Sequence, residues 1–386
     1  MNHVLAMAFA ALTAGAEPVF VGLDLEFGHQ TSTSAEAVQR GVEVAIAEIN
    51  AAGGVLGGRP LQAIVMPNRA VPARGVENVR ELAARKDVVA LFCGKFSPIV
   101  LEQIPVIHEL EVPLLDPWAA ADGIIDNWRS PSYAFRLSLR DSWAMRTMME
   151  YAASRGFERV GVLLPNTGWG RSNAAAAEAW AKGHARPRIV ATRWFNWGVE
   201  SLREDHEAFR SAGAQAIVFV TNENPGALLV REVAAMPADQ RLPLIAHHGI
   251  AGGDLVRLAG PALGDVDLTA VQFFTFVDNP RPQAKALLKA VERRYGVQDA
   301  GHVLSAGGLA AAYDLTHLLA RALQKAGSTD RRAVRKALEE LRDHEGAVKR
   351  LPRPFTPERH EALEPDDLFM ARFTPEGALV RVPRTR

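Results

Sequence analysis

Residues 40–61 read RGVEVAIAEINAAGGVLGGRPL, and their pattern decides the fold class. Extended back to Ser34, the run places Val38, Val42, Ala45, Ile46 and Ile49 at i, i+4, i+7, i+8 and i+11, one face of a helix over 34–50. Gly53-Gly54 then stops that helix, because glycine reaches the left-handed backbone at a helix end without a Cβ penalty. The β-type run Leu61–Met66 follows, and another, Val19–Leu23, precedes. Strand, helix and strand in that order make a parallel β-α-β unit.

Outward from this unit the alternation repeats. Val88–Phe92, Val112–Leu115 and Ala134–Leu137 are further strand candidates. A second series begins near Arg140. It runs through helix Asp141–Arg155, strand Arg159–Leu164, helix Ser172–Lys182, strand Arg188–Trp194, helix Leu202–Ala212 and strand Ala216–Val220. Helix Pro225–Met236, strand Pro243–Ala246, a short helical stretch at Asp254–Ala259 and strand Thr269–Phe274 complete it. A long helical region, Pro282–Leu341, and two β-type pieces, Leu368–Phe373 and Leu379–Val382, end the chain. Two such series predict an α/β fold of two doubly wound parallel-sheet lobes.

Composition agrees with two lobes, since 386 residues exceed what one hydrophobic core usually holds. Lys+Arg and Asp+Glu both number 44, so no basic excess points to nucleic acid or an anionic membrane. The lone cysteine, Cys93, lies in an apolar run; it forms no internal disulfide and belongs to no zinc-spaced cluster. Apolar Val4–Ala14 followed by Ala14-Gly15-Ala16 reads as a signal peptide over residues 1–16, although Met1-Asn2-His3 lacks the usual positive charge. No cysteine follows to take a lipid, and no other run reaches the ~20 apolar residues of a membrane helix. The expectation is an exported, soluble, periplasmic protein without a membrane anchor.

Motifs for catalysis fail on inspection. Gly94-Lys95 follows a strand as a phosphate loop would, but Phe96 stands where Ser or Thr is needed and the first glycine is missing. Gly168-Trp169-Gly170-Arg171-Ser172-Asn173 half matches a dinucleotide fingerprint, yet Trp169 and Arg171 would crowd a pyrophosphate. His247 and His248 are adjacent, and neighbours in a strand point to opposite faces, so they do not chelate one metal there. Glu339-Glu340 and Asp366-Asp367 read as solvated surface. The chain is expected to be no enzyme and to use no cofactor or metal.

Residues 40–61 closely resemble the first helix, turn and second strand of the leucine/isoleucine/valine-binding family. These are substrate-binding proteins of ABC importers with the type I periplasmic fold. Further pieces resemble it in the right order: Val88–Ser97, Val112–Ala121, Phe135-Arg136, Gly168–Arg171 and Ala312-Tyr313-Asp314. The resemblance implies three crossovers, near residues 139, 272 and 347. It places 17–139 with 273–347 in lobe one and 140–272 with 348–386 in lobe two. It implies a small-molecule ligand at the strands' carboxyl ends, trapped by hinge closure, with permease and ATPase subunits as partners; separately, a monomer is expected. A periplasmic ligand sensor signalling to a kinase or regulator is the alternative on the same fold.

By the family pattern, Ser34, Ser97, Trp118, Ala119 and Ala121 of lobe one face a ligand carboxylate. Ser34 equally fits a helix N-cap. Phe96 either lines the pocket or packs on a helix. In lobe two, Trp169 offers a ring platform at a loop tip, and Asn222 and Glu223 offer polar contacts. His247 and His248 stand where the family's amino-acid binders carry an acid, and Ala121 replaces an expected hydroxyl. A histidine donates to an anion rather than neutralising a cation. The ligand expected is a small carboxylate, aromatic acid or amide; an amino-acid-like ligand requires Glu223 to supply the charge.

Overall fold

Parallel strands covered on both faces read as unbroken apolar runs, and strand β1 (Val19–Leu25) shows this, with Val19, Val21, Leu23 and Leu25 all fully buried. The computed structural model describes residues 16–383 except Gln30. The expected signal peptide therefore falls outside the described residues, apart from Ala16. Helix α1 (Ser34–Ala51) leads from β1 to strand β2 (Leu61–Pro67), which pairs with β1 in parallel from Val19↔Leu61 to Leu25↔Pro67. The glycine turn closes as the sequence requires, with Gly53 at φ 104° and Gly54 at φ 75°. Asn50 fastens it, because its amide nitrogen donates to the Leu61 carbonyl at 2.9 Å and its oxygen accepts the Leu61 N–H at 2.8 Å.

Helix α2 (Pro72–Ala84), strand β3 (Val88–Cys93), helix α3 (Ser97–Glu109) and strands β4 (Leu114–Asp116) and β5 (Ala134–Arg136) complete the first sheet. Its order is β2-β1-β3-β4-β5. The second lobe starts with α4 (Asp141–Ser154), β6 (Arg159–Pro165), α5 (Gly168–Gly183), β7 (Arg188–Phe195) and α6 (Arg203–Ser211). It continues through β8 (Ala216–Phe219), α7 (Glu223–Ala234), β9 (Leu244–Ala246), α8 (Leu255–Ala259) and β10 (Leu268–Gln272). The expected long helical region divides into α9 (Pro282–Tyr295), α10 (Ala306–Ala326) and α11 (Arg331–Glu340), because Gly296 and Gly327 end the first two in left-handed backbone at φ 69° and 61°. These helices return to the first lobe, where α10 lies along α1.

The chain then forms a short ladder of β11 (His344–Glu345) with β12 (Arg350–Leu351) and passes beside β5. There Arg136 N–H donates to the His360 carbonyl at 2.8 Å, and Ala362 N–H to the Arg136 carbonyl at 2.9 Å. Strands β13 (Phe369–Phe373) and β14 (Leu379–Arg381) finally join β10 antiparallel, giving the second sheet the order β14-β13-β10-β9-β8-β6-β7. No helix of the described residues is long and apolar enough to cross a membrane. Glu339 corrects the reading of Glu339-Glu340 as solvated surface: it is buried, in contact with the His360 ring nitrogen at 3.0 Å and Arg335 at 2.7 Å.

Candidate functional site

The carboxyl ends of the two sheets face each other, so six strand-end loops converge. Their closest charged contact joins the lobes. Lys95, just after β3, extends its ammonium 2.7 Å from Glu223 Oε2 at the start of α7, and both side chains are out of solvent. Lys95 Nζ also donates to the Gly252 carbonyl at 2.8 Å. The other Glu223 oxygen accepts the Thr31 hydroxyl at 2.9 Å, and Asn224 Nδ2 donates to that same hydroxyl oxygen at 2.9 Å. Close approach depends on glycine here. A Cβ at Gly252 would lie 2.7 Å from Lys95 Cδ, and one at Gly253 2.2 Å from Glu223 Cγ.

Beside this pair, Glu26 ends β1's loop-ward run as a second buried carboxylate. Its Oε1 accepts Ser32 Oγ at 2.8 Å and the Ser34 hydroxyl, while Oε2 has no partner. Gly94 makes room for it, since a Cβ there would sit 2.0 Å from Oε2. Ser34 is thus tied to Glu26 and caps nothing: it is the first residue of α1, behind Thr33.

The remaining lobe-one candidates satisfy one another. Asp116 Oδ1 accepts the Trp118 N–H at 2.9 Å and the Ala119 N–H at 2.7 Å, and Ser97 Oγ accepts those of Ala120 at 3.1 Å and Ala121 at 3.2 Å. Burial pushes the Asp116 carboxyl up to about 7. Trp118 packs beside α10 where Gly308 leaves space, its ring 5.5 Å from that of His248. Phe96 sits edge-on between His29 at 5.4 Å and Trp197 of lobe two at 5.5 Å, closing the mouth of the cleft.

In lobe two, α5 begins at Gly168, four residues before the expected start, so Trp169 lies in its first turn and not on a loop tip. Its indole N–H donates to Asp141 Oδ1 at 3.0 Å and its ring lies 5.2 Å from His247. His247 Nε2 is 3.1 Å from the same Asp141 oxygen, off the hydrogen-bond direction. Strand β9 ends at Ala246 and His248 opens a 3-10 turn, so the two histidines do not alternate across a strand; their rings meet at 4.7 Å. Burial holds His248 well below the usual imidazole range, so it is neutral. Asn222 precedes α7 and makes no side-chain cap.

The structure joins Trp118, His248, His247 and Trp169 in one chain of ring contacts, brings Phe96 and Glu223 together at Lys95, and sets Ser34 on Glu26, whereas Ser97, Ala119 and Ala121 are tied up within lobe one and Asn222 stands just before α7. Sequence reasoning missed Lys95, Glu26, Thr31, Asp141 and Trp197. Lys95 carried a signal: a lone cation between a glycine and a phenylalanine at a strand end. A cavity of about 20 Å³ remains between the end of β10 and the start of α10, lined by Trp118, Gly253, Gln272, Phe274 and Ser305, which is room for about one water. Among the described residues no group of three or more His, Cys, Asp or Glu is placed to hold a metal ion.

Known proteins share this architecture. A relative from Brucella suis biovar 1, a Leu/Ile/Val-binding protein homolog, is 25% identical over 355 residues, covering 87% of this chain and 86% of its own. A periplasmic binding protein type 1 from Bordetella pertussis superposes with a TM-score of 0.82 at 23% identity, covering 95% of this chain and 100% of that one. The branched-chain amino acid transporter substrate-binding protein of Streptococcus pneumoniae in complex with isoleucine gives 0.78 at 19% identity, over 95% of this chain and 100% of that one. The two parallel-sheet lobes are the type I periplasmic binding fold. A family profile described as periplasmic binding protein matches residues 18–377, and the chain belongs to that family.

Proposed function

We propose that this protein is the exported solute-binding component of an ABC importer, delivering a small ligand from the inter-lobe cleft to permease and ATPase subunits. The lobes are 17–139 with 273–347 and 140–272 with 348–386; the passage after 347 runs along β5 before entering the second sheet. The observation that carries the reading is the convergence of strand-end loops from both sheets on one buried polar centre, the arrangement in which open α/β sheets hold ligands.

The charges around that centre favour one of the expected ligand classes. Glu26, Glu223 and Asp141 are buried around that centre, Lys95 is engaged by Glu223, the buried Arg136 behind the 119–121 loop is engaged by Glu361, and His248 is neutral. The N–H groups of residues 118–121 already have partners within lobe one. An added carboxylate would meet acceptors, whereas an amide N–H would meet the unpartnered Glu26 oxygen. The ligand is therefore a small amide-type solute with an apolar or aromatic part, which Trp118, Phe96 and Trp169 contact, with Ser34, Ser97, Ala119, Ala121, Asn222, Glu223, His247 and His248 around its polar end.

The test is a thermal-shift panel of amides, aromatic acids, short carboxylates and amino acids on the chain from Glu17. A solute that binds only the folded state adds about 2.7 kcal/mol at 100 times its dissociation constant. Amide hits recovered chemically unchanged support the reading. Conversion of the ligand, or silence across the panel, overturns it.

A further inference from the structure

Lys95 reaches from the first lobe into the second and spends two of its three N–H donors there. One ammonium hydrogen points to Glu223 Oε2 at 2.7 Å and another to the Gly252 carbonyl at 2.8 Å. The ammonium also stands 5.1 Å from the centre of the Phe96 ring, within cation–π range. A buried carboxylate is stabilised by a counter-charge, and no second cation is within ion-pair distance of Glu223 among the described residues. The fit is constructed on both sides, with Gly252 against the lysine arm and Gly253 against the glutamate.

We propose that Lys95 is a built-in cation occupying an ammonium-reading position at Glu223, so that the closed cleft admits only solutes without an ammonium at that end. An incoming ammonium must displace Lys95, and closure then buries a lysine with no partner. This rests on the reading of the cleft as the ligand site, and it makes Lys95 a specificity-determining residue. Shortening Lys95 to its Cβ vacates a channel three carbons and one nitrogen long, ending at Glu223. That is the shape of n-propylammonium.

The experiment uses the full chain with Lys95→Ala and Lys95→Ala/Glu223→Gln, titrated with n-propylammonium chloride against sodium chloride and followed by thermal melting. K95A is expected to melt below wild type. Millimolar propylammonium raises its midpoint by a few degrees, while wild type and the double variant show no response beyond sodium. Equal response of wild type, or of the double variant, overturns the proposal. So does a folded K95A that ignores propylammonium. If K95A does not fold alone, the titration is run during refolding: recovery of the wild-type circular dichroism spectrum by propylammonium and not by sodium supports the proposal, and no recovery overturns it. The importer reading is tested on wild type with the solute panel, so the two can fail separately.

Discussion

Arg136, at the end of β5, and Glu361, 225 residues further along the chain, form a fork-to-fork ion pair with the guanidinium fully buried. The pair ties the passage after β12 to the first sheet. The same guanidinium donates through Nη1 to the carbonyls of Ala119 and Ala121, each at 3.0 Å. Burial alone would lower its pKa, but Glu361 outweighs burial and leaves it above the ordinary arginine value. One residue therefore fixes both the passage beside β5 and the loop at 119–121.

Arg136→Ala is expected to be among the most damaging single changes in the protein. It strands Glu361 in the interior and frees two carbonyls, and removing one partner of a buried pair costs about 3–5 kcal/mol. Arg136→Lys recovers little, because a point charge does not reproduce the planar fork. Urea unfolding of the three proteins measures this. A Lys variant as stable as wild type would show that the fork geometry contributes nothing.

Gly41 lies in the opening stretch 40–61, and its role is packing between helices. A Cβ there would stand 2.2 Å from the Leu309 carbonyl oxygen of α10. Alanine is the better helix former by about 1 kcal/mol, so propensity alone favours Gly41→Ala. Backbone overlap opposes it and wins, since the whole helix must shift; overpacking of this kind costs about 1–3 kcal/mol. The expected result is a lower urea midpoint with unchanged ligand preference. A midpoint equal to or above wild type would mean that α1 and α10 separate without penalty.

The same glycine marks how far the sequence could be read. The period of Val38, Val42 and Ile49 and the Gly53-Gly54 stop are local signals, and they place α1, β1 and β2 correctly. The contact that needs Gly41 joins residues far apart in sequence, so nothing near Gly41 reveals it. The cleft divides in the same way. Loops at strand ends follow from strand positions, which is why Trp118 and His248 meet from different sheets. Trp169 went astray because Gly168 and Gly170 read as loop, whereas Thr167 caps a helix that starts at Gly168 by accepting the Gly170 N–H. Lys95 and Glu223 stand 128 residues apart at the ends of two different sheets, and no local pattern encodes their pairing.

Asp116 predicts a pH dependence. Burial raises its carboxyl from 3.8 to about 7, so the folded state holds its proton where the unfolded chain has lost it. The folded state then binds more protons, and stability contributed by this group falls as pH rises from 3.8 to about 7. Asp24, raised to about 6 by burial, adds a slope of the same sign. Asp116→Asn retains an acceptor for the Trp118 and Ala119 N–H groups and removes the titration. The expected outcome is a flatter pH profile of the urea midpoint for D116N than for wild type. Parallel profiles would show that Asp116 is ionised in the folded protein across this range.

The contact between the lobes has an optical reporter in Trp197. Its ring meets Phe96 across the mouth of the cleft at 5.5 Å while 42% of the residue stays exposed. Separating the lobes hydrates the rest of that indole and moves its emission to the red. Glu223→Lys provides the opening force, since it sets two ammonium groups face to face where the closed cleft holds an ion pair. Lobes free to move apart relieve that repulsion by hydrating both charges, so the variant loses closure and keeps its fold. A red shift in E223K that disappears in the Trp197→Phe background is the expected result. A folded E223K whose emission matches wild type would place the closing contact elsewhere than at Lys95 and Glu223.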